Sequence, residues 1–241
     1  MDTPNTTRGA GELSGEPVVR QQGSCTLMAW SDDVHTYWFD PERAELHAQP
    51  VVDGGRGSAW YIDIKGCPGV LRHYRRGGLI ARLSRDLYWW SGASDARSLR
   101  EFGVLARLAG CGLRVPLPVA AMACRVNPFV YRAALITERI EQARPFWTVD
   151  DENVWSRAGR TIASMHKMGV WHADLNVNNI LVGADGAVWL IDFDRAVENV
   201  TSRERLYGNL QRLERSVRKV CPQSLESRWP LLLAGYAAGA E

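Results

Sequence analysis

The chain has 241 residues, 46% of them hydrophobic and 23% charged, with a net charge of +2. That length suits one large domain or two small lobes with a buried core, and the composition excludes a wholly disordered chain. No apolar run reaches the roughly 18 residues of a membrane-spanning helix; the longest, WPLLLAGYAAGA near the C-terminus, is short and rich in small residues.

The opening MDTPNTTRGAGELSGEP has neither a basic start nor an apolar core of the signal-peptide kind. Residues 1–24 are predicted to be a disordered tail, given their Gly, Thr, Pro and Glu content. The five cysteines are scattered and form no C-x-x-C pair, so reduced thiols and no zinc site are expected. The five histidines show no metal-binding spacing. Of the 29 cationic residues 26 are arginine, and they cluster. LRHYRRGGLIARLSR, residues 71–85, carries five arginines and no acid, and RERLYGNLQRLERSVRK, residues 203–219, is a second basic stretch. Such patches suit phosphates, anionic lipid or nucleic acid.

In chain order, residues 25–50 mix apolar and polar segments, with a weak helical pattern at DPERAELH. VVDGGRGSAWYIDIKGCPGVLRHY reads as strand, Gly-rich turn, strand, turn and strand, an antiparallel run of sheet. SDARSLREFGVLARLAGCG is a helix, with Leu99, Phe102, Leu105 and Leu108 at three-residue spacing and Gly110 and Gly112 at its end. RVPLPVAAMAC and YRAALITERI are two further strands. The second half changes character. Thr148 and Asp151 stand in capping-box spacing before a helix whose apolar face holds Val154, Ala158, Ile162 and Met165. ILV and AVWLIDF form a hairpin around Ala184, Asp185 and Gly186. Two more helices are predicted, over 202–220 and near 225–238. The fold class is therefore α+β in two lobes: residues 25–140 as a sheet plus one long helix, residues 141–241 mostly helical, with the crossing near 138–146.

The stretch HADLNVNNILVGADGAVWLIDFDRA carries the chemistry. Phosphoryl transfer needs a nucleotide held by its phosphates, a metal held by oxygen, and an oriented acceptor hydroxyl. In H-x-D-L-x-x-x-N, Asp174 suits the hydroxyl and Asn179 offers a neutral oxygen to Mg²⁺. The hairpin then delivers Asp192, whose carboxylate is a hard ligand for the same ion. Upstream, the backbone amides of Gly55, Arg56, Gly57 and Ser58 suit the phosphates. Glu101 on the long helix is placed to orient a phosphate-binding base. Arg72, inside the third strand, is favoured as that base, with Arg75 and Arg76 as alternatives; Lys65 in IDIK fits superficially but is followed at once by turn residues.

With these parts in order the chain resembles the protein-kinase-like superfamily. More narrowly it is similar to the lipopolysaccharide kinase family, and within that to the 3-deoxy-D-manno-octulosonic acid (Kdo) kinases. GGRGSAW, VLRHYRRGGL, HADLNVNNILV, IDFDRA and NLQRLERSVRK carry the likeness, which spans roughly residues 25–238. The resemblance implies an ATP- and Mg²⁺-dependent phosphotransferase acting on the 4-hydroxyl of Kdo in a Kdo-lipid A precursor (Kdo-lipid IVA). It implies peripheral attachment to the anionic cytoplasmic face of a Gram-negative inner membrane, and no nucleic-acid partner. Trp89 and Trp90 suit either a lipid headgroup region or a core. Another protein-kinase-like enzyme, a small protein kinase or an antibiotic phosphotransferase, shares the core but not LRHYRRGGL. Where a protein kinase has H-R-D-L-K and D-F-G, this chain has HADLN and DFD, so Asn176 and Asp194 replace a lysine and a glycine.

Overall fold

A computed structural model describes residues 15–51, 59–75 and 86–240. In the first lobe the strands are β1 (Val18–Gln22), β2 (Cys25–Ala29), β3 (Gln49–Pro50), β4 (Ala59–Ile64), β5 (Cys67–His73) and β6 (Tyr88–Trp89). Helix α1 (Arg97–Gly110) follows, then β7 (Pro118–Arg125) and β8 (Val130–Glu138). They form one antiparallel sheet in the order β1-β2-β7-β8-β5-β4-β3, with β6 on the free end of β8. The second lobe holds β9 (Arg144–Pro145), α2 (Glu152–Lys167), β10 (Ile180–Val182), β11 (Val188–Leu190), α3 (Arg203–Val220), the single turn α4 (Ser224–Ser227) and α5 (Trp229–Ala240). Its small sheet runs β11-β10-β9. This is the α+β, two-lobed arrangement expected from the sequence.

The alternation of side chains along each strand sorts the large sheet into two packed faces. Leu27, Ile62, Ile64, Leu71, Ala134 and Ile136 bury one face under Trp38 and Phe39. Ala121, Ala123, Ala133 and Leu135 bury the other against Leu99, Phe102, Leu105 and Leu108 of α1. Alanines beneath the helix let it lie close, and each large side chain removed from water contributes roughly 1.5–3 kcal/mol. Because Leu71 points into one face, Arg72 must point toward the other, the side where α1 lies.

Several sequence expectations are corrected here. Val18–Gln22 is a strand, not tail: it pairs with β2 through a two-residue turn whose first residue, Gly23, has φ of 61°. Residues 1–14 lie outside the described residues. Cys25 and Cys124 are joined in a disulfide rather than reduced. They face each other across β2 and β7. The flanking amide bond from Arg125 to the Ser24 carbonyl makes them a non-hydrogen-bonded pair, the closer-spaced kind. The helix cap also shifts. Asp151 itself caps α2, accepting from the Asn153 amide at 2.9 Å, while Thr148 Oγ1 closes the preceding turn on the Pro145 carbonyl. Finally, β5 begins at Cys67, so only Lys65 and Gly66 make the turn; both have positive φ, 54° and 83°, as that hairpin type requires.

In the second lobe α5 lies directly on α2. A Cβ added at Gly159 would strike the Leu232 carbonyl, and one at Gly235 would strike that of Ser156. The small residues of the C-terminal apolar run thus serve close helix packing. Among the described residues no helix is long and apolar enough to cross a membrane.

Candidate active site

Arg72, Glu101 and Asp192 meet at the junction of the lobes. The Arg72 guanidinium pairs with Glu101 Oε2 through Nη2 and with Asp192 Oδ1 through Nη1, the latter at 2.5 Å. Tyr74, two residues along the strand and so on the same face, stacks its ring 4.7 Å from the guanidinium and donates its hydroxyl to Glu101 Oε2. Glu101 is 2% exposed, and its other oxygen accepts the Phe193 amide at 3.1 Å. One carboxyl therefore ties α1 to both β5 and the segment bearing Asp192. Burial pushes Glu101 up to about 7, against the lowering effect of Arg72. Burial also acts to raise Asp192, but the Arg72 charge and hydrogen bond outweigh it and hold that carboxyl below its ordinary value. Asp192 adopts a left-handed backbone, φ 65°. Such strain in a non-glycine residue is kept where the surroundings fix it, as the Arg72 and Phe193 contacts do here.

Lys65 lies elsewhere. It sits in the β4–β5 turn, paired with Asp33 and 6.0 Å from the Trp38 ring centroid. Arg75 follows Tyr74 outside the strand. Gly55, Arg56, Gly57, Ser58 and Arg76 lie outside the described residues.

The second-lobe groups are set by the hairpin and by α3. The β10–β11 register pairs Ile180 with Leu190, and the Ile191 amide donates to the Asn179 carbonyl at 3.1 Å, so Asn179 and Asp192 fall at the same end of the hairpin. Asn179 is buried and donates Nδ2 to the Asp174 carbonyl at 2.8 Å, which orients its amide and leaves the side-chain oxygen for another partner. Asn176 is spent on the backbone: it caps the following turn through the Asn178 amide and donates to the same Asp174 carbonyl. Asp174 itself projects outward, its side chain 62% exposed, and meets Arg212 Nη1 of α3 at 3.2 Å. His172 is buried; its Nε2 bonds the Ile191 carbonyl at 2.9 Å while Nδ1 accepts the Asp174 amide. This pattern places the proton on Nε2. Burial keeps the ring neutral by lowering its pKa. One imidazole thus staples the Asp174 loop to the residue before Asp192.

Four contributors were not singled out from the sequence. Asn209 of α3, fully buried, accepts the His172 amide at 3.1 Å and donates to the His172 carbonyl at 2.5 Å. His166 of α2 links Asn209 Oδ1 to the Tyr236 hydroxyl of α5. Arg97 of α1 clamps Asp194 with two hydrogen bonds, Nε to Oδ1 at 2.7 Å and Nη2 to Oδ2. Arg212 is the fourth. The one available signal was a polar residue, Asn209, beside Leu210 on the apolar face of a helix otherwise marked by Leu213 and Val217.

The arrangement can hold a phosphate chain at Arg72, accept a hydroxyl proton at Asp174, and offer oxygen ligands from Asn179 and Asp192. The comparisons agree with this chemistry. The model of the lipopolysaccharide kinase (Kdo/WaaP) family matches residues 42–236. The chain is 45% identical over 188 residues to a 3-deoxy-D-manno-octulosonic acid kinase of Xanthomonas campestris pv. campestris (strain B100), covering 76% of this chain and 74% of that one. It is equally similar, with the same coverage, to the enzyme of that name from Stenotrophomonas maltophilia (strain R551-3). It is 44% identical over 178 residues to the one from Xylella fastidiosa (strain M12), covering 72% and 71%. The chain is a phosphotransferase with an alcohol group as acceptor, and it belongs to the lipopolysaccharide kinase (Kdo/WaaP) family.

Proposed function

We propose that the chain transfers the γ-phosphoryl group of ATP to the 4-hydroxyl of Kdo in a Kdo-lipid A precursor, Kdo-lipid IVA, at the cytoplasmic face of the inner membrane. The observation that carries this reading is the Arg72–Glu101–Asp192 cluster facing the Asp174 loop, in a chain whose relatives are named for Kdo phosphorylation. Arg72 holds the phosphates of the nucleotide, and Glu101 and Tyr74 fix its fork. Asp174 receives the proton of the acceptor hydroxyl. The donor set at Asn179 and Asp192, one amide oxygen and one ionised carboxylate, fits Mg²⁺, which prefers hard oxygen and keeps several waters or phosphate oxygens. Among the described residues no cluster of three or more His, Cys, Asp or Glu side chains could enclose a metal; an ion completed by substrate phosphates needs none. Bound there, Mg²⁺ would neutralise charge on the β- and γ-phosphates. Trp89, 68% exposed and stacked 5.9 Å from Phe129, itself 61% exposed, supports contact with a lipid surface, whereas Trp90 packs edge-on against Tyr131.

The test is transfer of label from γ-labelled ATP, with Mg²⁺, to Kdo-lipid IVA, beside a protein acceptor and an aminoglycoside. Label is expected only in the Kdo lipid, at the 4-position, and lost in Asp174→Ala with nucleotide binding preserved. Label entering only the protein or the aminoglycoside would overturn the reading.

A further inference from the structure

Phosphoryl transfer spreads negative charge over three equatorial oxygens, and an added arginine at that point is worth several orders of magnitude in rate. Of the two arginines at the lobe junction, Arg72, fixed by Glu101 and Asp192, is assigned above to the phosphates of the nucleotide, and Arg97 is paired with Asp194. The residue two positions after Asp174 is the neutral Asn176, whose side chain is used up on the loop backbone. A cation comes instead from α3. Arg212 reaches Asp174 Oδ1 at 3.2 Å, and both side chains are open, 44% and 62% exposed.

The position of Arg212 follows from its neighbours on the helix. Residues three and four apart share a face of a helix, so Asn209, Arg212 and Ser216 point the same way. Asn209 binds both backbone groups of His172, and Ser216 Oγ accepts the Val177 amide at 3.2 Å. The loop is thus pinned to α3 on each side of Asp174, and Arg212 is held opposite the carboxylate between the two pins. A guanidinium carries five N–H donors in a fixed plane, and the bond to Asp174 occupies one.

Resting on the phosphotransferase reading above, we infer that Arg212 is a catalytic residue that neutralises the phosphoryl group in flight at Asp174. The acceptor hydroxyl oxygen bonds to the γ-phosphorus as the bond from that phosphorus to the β–γ bridging oxygen breaks. The hydroxyl proton passes to Asp174, and the bridging oxygen leaves on ADP with the bonding pair. Arg212 bridges the Asp174 carboxylate and an equatorial phosphoryl oxygen through this step.

The experiment compares wild type, Arg212→Ala and Arg212→Lys in three measurements: transfer to Kdo-lipid IVA, the slow hydrolysis of ATP by water without acceptor, and nucleotide affinity. Arg212→Ala is expected to lower kcat about 100-fold or more and to slow hydrolysis in parallel. Nucleotide affinity, acceptor KM and thermal melting should stay near wild type, and Arg212→Lys should recover part of the loss. A raised acceptor KM with kcat and hydrolysis intact would overturn the inference, placing Arg212 on the acceptor's own anionic groups. Unchanged kinetics would reduce the pair to a surface contact and overturn it equally. If wild type hydrolyses ATP but leaves the Kdo lipid unlabelled, the substrate reading fails while the hydrolysis series still decides the role of Arg212.

Discussion

Glu101 shows how a single buried carboxyl joins stability to function. It is surrounded by Arg72, Tyr74 and the Phe193 amide, and burial raises its pKa from an ordinary 4.5 to about 7. Between those values the folded chain keeps a proton that the unfolded chain releases, so folding stability declines as pH rises. The contribution is full below 4.5 and is lost as pH passes through about 7. Glu101→Gln keeps the shape but cannot titrate, so it should remove this decline. Denaturant midpoints of the two proteins at several pH values between 5 and 8 measure it, and parallel slopes would contradict the assignment. At the same scale, the placing of Asn179 beside the Asp174 loop and at the same hairpin end as Asp192 was legible, because one loop and one hairpin fix their spacing; their roles belong to the proposal. Arg72 was legible because strand alternation and the neighbouring turn separate it from Lys65. Asn209, His166 and Arg212 were not, because their partners lie in other elements, far along the chain, and leave no local periodicity. Cys25 and Cys124 were hidden for the same reason, 99 residues apart until the sheet sets them opposite.

Among the elements, α1 carries Glu101 into the candidate site, and two devices hold it. Glu101 holds the strand and the Phe193 amide, and one turn earlier Arg97 grips Asp194 bidentately. Asp194 stands where protein kinases have glycine, so this chain has a carboxylate anchor where those enzymes have no side chain. Burial pushes the Asp194 carboxyl upward while the Arg97 charge opposes it, and the pair is largely shielded from water. Removing one partner strands the other charge, which costs more than the pair contributed. Asp194→Gly should therefore lower unfolding free energy by about 2 kcal/mol and weaken nucleotide binding through a loosened α1. Urea unfolding and nucleotide titration check both; a variant as stable as wild type would show that Glu101 alone sets the helix. The helices themselves were readable from apolar spacing, since Leu99, Phe102, Leu105 and Leu108 are all buried. Their caps were less so, because Asp151 rather than Thr148 closes α2 once the preceding turn takes the threonine hydroxyl.

At the scale of the whole molecule, the proposed function requires a chain of net charge +2 to meet a glycolipid in an anionic bilayer. No described helix is long and apolar enough to cross a membrane, and the proposed function places the association at the surface. Two contributions are on hand. Nearly all the cationic residues are arginines, five of them in 71–85 and five along α3, and each basic residue near an anionic surface adds about 1 kcal/mol. Trp89 and Phe129 add an exposed aromatic pair where β6 meets β8, and such rings favour the headgroup level. The charge term is screened by salt and the aromatic term is not. Binding to vesicles of anionic lipid should therefore exceed binding to neutral vesicles and weaken, without vanishing, as salt is raised. The double substitution Trp89→Ala, Phe129→Ala should remove the salt-resistant part while leaving transfer to detergent-dispersed Kdo lipid intact, since the two exposed rings stack on each other. Vesicle co-sedimentation across a salt series measures this directly. Equal binding of the double variant and wild type at high salt would move the lipid contact to another face, and a loss of transfer in detergent would place the aromatic pair at the acceptor instead.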